Sequence, residues 1–422
     1  MGVTRANSYE EIKPLIELCR AGKLFEVQAW IEAGKPVNSP IRQHSSRKSP
    51  LLWAIDLGFH SLVEVLLKAG AELNEGDRQS AMRHALRKRR LDLLQLLVDH
   101  RADVKSVDMR GVFETYDPEL MEFFIEQGAD CETGNPLALA FCHRIRPALR
   151  IFKQYKDRFP SFQEQANIAL RYHCREGSQK WISLMLWAGA DPCAAGSSRP
   201  DQSADADLDV SALECAALYG HIEVFQMRQI RLDPKQERAF ELVRAACFGQ
   251  SSELLRQLVN LGYPLNDQPN GGSSLIGQLL QGMTWYWRPD SPTCQRNIDT
   301  DEAREKMKML HLIVKHGARW IPEKPCEIRY ARAGLLKMIP DYTAELVWIM
   351  TAYGGCDRRV IVELLRTPSI HRHVEAHLSR IEQLVMKLDG RITKPHSPLV
   401  FASCHRIGGK PSGAGITNKC AT

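Results

Sequence analysis

The amino-acid sequence predicts an all-α protein, a solenoid of stacked helix-turn-helix repeats with short hairpin loops and a helical C-terminal cap. Three observations support this fold class. One amphipathic phrase recurs along the chain, its apolar residues lie three and four positions apart, and most copies contain a glycine where a helix must end. The pattern is typical of short helices that bury one face against their neighbours.

The second helix of each repeat carries the recurring phrase. Its clearest copies are LVEVLLKAGAELN (62–74), LLQLLVDHRADVK (93–105), LMEFFIEQGADCE (120–132) and WISLMLWAGADPC (181–193). In the first copy, Leu62, Val63, Leu66 and Leu67 line one helix face. We predict left-handed backbone at the residues that end these helices, because glycine adopts it without strain. These residues are Gly34, Gly70, Gly128, Gly189, Gly262 and Gly317, with Arg101 at the matching place in the second copy.

The first helix of each repeat is indicated by a second pattern upstream. It reads SPLLWAIDLGFHSLVEVLL at 49–67 and SALECAALYGHIEVF at 211–225, and a third copy opens at Asn135. The pattern resembles the ankyrin repeat, which opens T-P-L-H-x-A, continues through a Gly-His turn and has a period of about 33 residues. The matching residues are Ser49, Pro50, Leu51, Leu52 and Ala54, then Ser211, Ala212, Leu213, Ala216, Ala217, Gly220 and His221. The resemblance implies an ankyrin-type solenoid in which small residues such as Ala54, Ala85 and Ala216 let neighbouring first helices approach closely.

The domain organisation follows from where the phrase recurs. We expect an ankyrin-like array over residues 1–357 with about nine or ten repeats, a helical cap over 358–388 and a flexible basic tail over 389–422. Two loop insertions interrupt the array at about 194–209 and 283–301. The first is rich in small and acidic residues, a composition typical of a flexible loop.

Composition narrows the class of protein. The chain has 422 residues, a net charge of +6 and 12 cysteines that are scattered singly. This charge is too mild to indicate a nucleic-acid binder, and the cysteine spacing matches no disulfide framework or zinc ribbon. The first twenty residues are charged and amphipathic, and no later run approaches about 18 apolar residues. We therefore expect reduced thiols, a cytoplasmic location and no membrane span.

A basic cluster, RHALRKRR at Arg83–Arg90, is the first candidate contact surface. Arg89 and Arg90 stand where the ankyrin pattern has its Gly-His turn. Arg83 and Arg87 would face the concave groove where ankyrin proteins commonly bind partners, and could pair with carboxylates or phosphates. The alternatives are a merely solvated face or a nucleic-acid site, the latter less favoured because no aromatic residues are interleaved.

Further candidate contacts come from loops. Arg78, Asp108 and Arg110 lie in predicted hairpin tips, and the second insertion places the aromatic residues Trp285, Tyr286 and Trp287 beside Arg288. Aromatic side chains make strong binding anchors when they are exposed. The alternative is that this insertion folds back and packs them.

Motifs for catalysis are absent from the sequence, with no P-loop, nucleophile elbow or metalloprotease signature. His371, His373 and His377 have helical spacing, yet no companion ligands accompany them, which favours solvated histidines over a metal site. We predict no catalytic residue, cofactor or metal. The function predicted is a monomeric protein-interaction scaffold or adaptor that binds another protein through its concave face and hairpin tips. The alternatives are an enzyme or toxin module within 272–422 and a nucleic-acid binder acting through 83–90.

Overall fold

A computed structural model describes residues 5–40, 48–73, 80–200, 209–266, 274–282 and 301–320. This described part is helical, and its extended pairing is limited to two isolated bridges, Arg5–Asn38 and Gly196–Val210. The predicted all-α class is therefore confirmed. The chain divides into two compact units, residues 1–173 with 180–210 and residues 174–179 with 211–422.

The first unit contains helices that follow one another in pairs. The pairs are α1 Tyr9–Arg20 with α2 Leu24–Glu32, α3 Pro50–Leu57 with α4 His60–Lys68, α5 Ala81–Lys88 with α6 Leu91–Asp99, α7 Met109–Phe113 with α8 Pro118–Glu126, α9 Pro136–Cys142 with α10 Pro147–Tyr155, and α11 Ser161–Arg175 with α12 Gln179–Ala188. The turn that joins the last pair is grouped with the second unit. First helices stack in sequence, since α3 packs against both α1 and α5.

The second unit continues the same pattern. Helix α13 Ala212–Leu218 precedes a 3-10 turn at Ile222–Gln226, and α14 Ala239–Phe248 pairs with α15 Ser252–Asn260. The last described pair is α16 Leu275–Gly282 with α17 Asp301–Lys315. Here α14 packs against α13 on one side and α16 on the other.

Serine and proline start the first helices. The Ser49 hydroxyl accepts a hydrogen bond from the Leu52 N–H at 3.3 Å, and Ser211 does the same for Glu214 at 3.2 Å. Pro50 and Pro136 occupy the first turns of α3 and α9, where a missing N–H costs nothing.

Second helices end in left-handed backbone as predicted. The φ angles are 66° at Gly34, 86° at Gly70, 79° at Gly128, 109° at Gly189, 85° at Gly262 and 95° at Gly317. Arg101 adopts the same conformation with φ 67°. The chain thus keeps the turn even where it lacks the glycine.

The turn between the two helices of a pair is also left-handed, and here glycine is often missing. Gly22, Gly58, Gly177 and Gly220 have φ between 67° and 75°, while Arg89, Tyr116, Arg144 and Gln250 have φ between 53° and 64°. A side chain in this conformation is strained by its Cβ. The repeat geometry is therefore imposed by packing as well as by local preference.

The core consists of the apolar helix faces. Leu62, Val63 and Leu66 are fully buried, and Leu67 is nearly so. The small residues Ala54, Ala85 and Ala216 are also completely buried.

The first insertion is held in place over its described part, which its composition did not predict. The guanidinium of Arg171 is completely buried, pairs with Glu164, and donates to Ser197 O at 2.6 Å and Ala194 O at 2.9 Å. Residues 201–208 lie outside the described residues, as do 283–300 of the second insertion, the predicted cap 358–388 and the predicted tail 389–422.

Candidate partner-binding cleft

An open cleft of about 620 Å³ is formed by α5 and α7 within the first unit. From α5 and its turn it is lined by Arg83, Leu86, Arg87 and Arg89, and from α7 and its flanks by Val107, Asp108, Arg110, Gly111, Glu114 and Thr115. The structure thus brings together two groups of residues that the sequence proposed separately, Arg83 with Arg87 and Asp108 with Arg110. Arg110 lies within α7 and not in a hairpin tip as predicted.

The α5 wall of the cleft is positively charged. Arg83 and Arg87 lie one helical turn apart, the first half-buried and the second exposed, while Met82 and Ala85 face the core. Among the residues that the structure describes, the side chains of Arg83, Arg87 and Arg89 have no hydrogen-bond or ion-pair partner. Their guanidinium groups are therefore available to a ligand.

The α7 wall carries two carboxylates that already have partners. Asp108 Oδ1 accepts a hydrogen bond from the Arg110 backbone N–H at 2.8 Å and so caps α7. Arg110 Nε donates to Glu114 Oε1 at 3.0 Å. Because these bonds stay within α7, they do not neutralise the arginines of α5.

Arg90 belongs to the basic cluster but has a structural role. Its Nη1 donates to Gly58 O at 3.1 Å, and its Nε and Nη2 donate to the Asp92 carboxylate at 2.8 and 2.7 Å. These hydrogen bonds lower the pKa of Asp92. In the second unit, His221 Nε2 makes the equivalent bond to the preceding turn, donating to Arg175 O at 2.9 Å.

The sequence did not predict that Arg89 lines the cleft while Arg90 has a structural role. It named Arg89 only as a replacement for the turn glycine, whereas the side chain of Arg89 lines the cleft. The position that follows the turn could have identified Arg90, because the ankyrin pattern places a histidine there. No sequence signal distinguishes the direction of the Arg89 side chain.

Several predicted residues lie outside the described residues and stay predictions. These are Arg78, Trp285, Tyr286, Trp287 and Arg288, together with His371, His373 and His377. Within the described ranges, no group of three or more histidine, cysteine or acidic side chains is placed to hold a metal. In those same ranges, no helix is both long enough and apolar enough to cross a bilayer.

The buried cysteines have unreactive surroundings. Burial raises the pKa of the Cys19 thiol to about 12, and that of Cys131 to about 11. The pKa of Cys174 is raised by burial as well. These thiols stay protonated at neutral pH, so they lack the thiolate that a nucleophile needs.

Helix pairs that stack in order, with left-handed turns at matching positions, define a helical-repeat protein. A family model for ankyrin repeats matches residues 6–108 in three copies, so this segment consists of ankyrin repeats and the resemblance in the sequence is confirmed. The match extends from the start of the array into the cleft, where Asp108 is its last residue. Ankyrin repeats are generally protein–protein interaction modules, and their fold is typically non-enzymatic.

The crystal structure of the ankyrin repeat domain of Bcl-3, a member of the IkappaB protein family, is similar over 62% of this chain and 92% of that chain, with 18% identity and a TM-score of 0.29. At that TM-score the likeness supports no conclusion about function. No curated protein matches the chain.

Proposed function

We propose that this protein is an interaction scaffold or adaptor that binds another protein through the cleft formed by α5 and α7. The observation that carries the proposal is the meeting of Arg83, Arg87, Asp108 and Arg110 around one open cleft. The general role of ankyrin repeats supports it. We further propose that the protein acts as a cytoplasmic monomer without a cofactor; the buried free thiols Cys19, Cys131, Cys174 and Cys247 are typical of a reducing compartment.

The chemistry of the cleft suits a protein partner. Arginine is enriched at the centres of protein interfaces because its planar guanidinium pairs with carboxylates in a bidentate geometry. Leu86 and Val107 also line the cleft, but they are only 5% and 4% exposed, so their apolar contribution is small. A groove that combines cations, carboxylates and a small apolar floor offers contacts to a polypeptide of mixed composition.

A quantitative pull-down from native lysate tests the proposal. Wild-type protein is compared with Arg83→Glu/Arg87→Glu, which reverses two cations of the cleft. The control is Arg146→Glu/Arg228→Glu, which changes net charge equally at two exposed arginines that have no partner among the described residues. We expect the cleft variant to lose at least one partner that the wild type and the control retain. Equal recovery of every partner from all three proteins would show that the cleft is not the contact surface.

The alternative functions stay predictions of the sequence. An enzyme or toxin module within 272–422 falls on a region where only 274–282 and 301–320 are described. A truncation that ends near Asn266 tests this alternative, since it should leave partner binding intact while removing any activity. For nucleic acid, the lining of the cleft contains no aromatic side chain on which bases could stack.

A further inference from the structure

Arg89 occupies a position that favours glycine. Its φ is 53°, and the corresponding residue is glycine in some repeats, as at Gly58 and Gly220 with φ of 74° and 75°, and another residue in others, as at Tyr116 with φ 59°. A non-glycine residue is strained in this left-handed conformation. The same strain occurs at Tyr116, Arg144 and Gln250, so it distinguishes Arg89 only together with the position of Arg89 in the cleft.

The strained residue also faces the cleft. Arg89 lines it together with Arg83 and Arg87, so three arginines of α5 and its turn border one open cleft. None of the three has an anionic partner among the described residues, whereas the pairs Arg90–Asp92 and Arg110–Glu114 show that nearby arginines do find carboxylates. Three like charges that share a cleft repel one another, and an anionic ligand would relieve that repulsion.

We infer that Arg83, Arg87 and Arg89 together form a recognition site for an acidic, extended segment of the partner, with Arg89 as a specificity-determining residue. This inference rests on the proposed function and adds the chemistry of the partner. Carboxylate side chains of the segment would pair with the α5 wall, while its backbone or basic side chains would face Asp108 and Glu114. Single-stranded nucleic acid fits less well, because no aromatic side chain among the lining residues could stack on its bases.

Binding of a simple acidic probe is the first test. A fluorescein-labelled hexaglutamate peptide and a hexaglutamine peptide of equal length are titrated with the full chain, and fluorescence anisotropy is measured. We expect saturable binding of hexaglutamate that weakens as salt rises, and no binding of hexaglutamine, because the attraction is electrostatic. Equal binding of both peptides, or of neither, would overturn the inference.

A matched pair of substitutions then tests Arg89 itself. Arg89→Gly and Arg101→Gly each remove one arginine from a left-handed position, but Arg101 does not line the cleft. We expect both variants to raise Tm by about 2 °C, because glycine relieves the backbone strain. Only Arg89→Gly should weaken hexaglutamate binding, by at least about threefold. A weakened affinity together with a raised Tm cannot come from damaged folding. Unchanged affinity in Arg89→Gly, or equal weakening of affinity in both variants, contradicts the inference.

The two proposals fail in different ways. If Arg83→Glu/Arg87→Glu loses a native partner while hexaglutamate does not bind the wild type, the scaffold function stands and the acidic-segment inference is wrong. If a single-stranded oligonucleotide of equal charge binds more tightly than hexaglutamate, the cleft prefers phosphate and the inference is overturned. Loss of both native partner and hexaglutamate in the cleft variant supports both proposals.

Discussion

The second and third repeats build the same two turns from different residues. In the second repeat, Gly58 joins α3 to α4 and Gly70 ends α4, with φ of 74° and 86°. In the third repeat, Arg89 and Arg101 stand at those positions with φ of 53° and 67°. The comparison shows that stacking enforces the left-handed turns even where the residue opposes them.

The third repeat has compensating interactions. Leu93, Leu94 and Leu97 of α6 are completely buried, and burial of each contributes about 1.5–3 kcal/mol. Left-handed backbone at an arginine costs only about 1–2 kcal/mol. Arg90 adds a hydrogen bond to the carbonyl of Gly58, tying the third repeat to the second. The free energy lost to backbone strain is therefore smaller than the free energy gained by burying the leucines of α6.

The largest effect is expected where a turn glycine is needed for space. At the end of α14 the left-handed residue is Gln250, and Gly249 precedes it with φ −73°. A Cβ on Gly249 would lie 1.9 Å from Ala217 O, so Gly249→Ala must push α13 and α14 apart. We expect the free energy of unfolding to fall by at least about 3 kcal/mol in urea denaturation.

Gly111→Ala is the matched control for this substitution. A Cβ on Gly111 in α7 meets no atom within 4 Å, so alanine should stabilise by about 0.5–1 kcal/mol through helix propensity. If Gly249→Ala were as stable as Gly111→Ala, the close approach of α13 and α14 would be wrong. The turn that ends α14 would then tolerate a side chain, as the two turns of the third repeat do.

Intermediate effects follow from copying the third repeat into the second. Gly70→Arg should cost about 1 kcal/mol, because a Cβ at Gly70 meets open space and only the backbone is strained. Gly58→Arg should cost about 2 kcal/mol, because its Cβ would lie 3.1 Å from Arg90 Nη1 and disturb the hydrogen bond to Gly58 O. Urea denaturation of both variants measures the difference. A neutral Gly70→Arg would mean that these turns tolerate arginine without strain.

Much of the fold could be predicted because its signals are local. Helical spacing identified the buried stripe around Leu62 and Leu66, and the glycine in most copies of the phrase identified turns such as Gly70. The same spacing placed Arg83 and Arg87 on one helix face, where the structure has them in one cleft. These are properties of single helices, which the sequence encodes directly.

The remaining features depend on contacts between residues far apart in the chain. Arg90 reaches Gly58 O, and Arg171 reaches Ser197 O in the insertion. The periodicity of apolar residues in the sequence does not predict such long-range hydrogen bonds. The position of Arg89 in the cleft depends on a left-handed backbone, which arginine disfavours. Local sequence rules expect glycine in that conformation, so they do not predict it at Arg89.

The smallest effect concerns the aspartate that follows each turn, in RADVK of the third repeat and GADCE of the fourth. Asp130 Oδ1 accepts hydrogen bonds from the N–H groups of Glu132 and Thr133, both at 3.0 Å, whereas Asp103 accepts one from Lys105. Hydrogen bonds from the Thr133 side chain and from these backbone N–H groups lower the pKa of Asp130 to about 2. Asp130→Ala should therefore cost more stability than Asp103→Ala.

The pH dependence of Asp130→Ala provides the measurement. A carboxyl whose pKa is lower in the folded protein than in the unfolded chain stabilises above the unfolded pKa of about 3.9, and this stability is lost as the pH falls towards 2. At pH 7 the free energy of unfolding should fall by less than about 1 kcal/mol, since solvent screens an exposed carboxylate. The difference from wild type should shrink between about pH 4 and pH 2. Asp157→Ala, at an exposed aspartate without a hydrogen-bond partner among the described residues, should show no such trend. If Asp157→Ala and Asp130→Ala behaved alike, the loss would reflect net charge, and the turn aspartate would not distinguish the fourth repeat from the third.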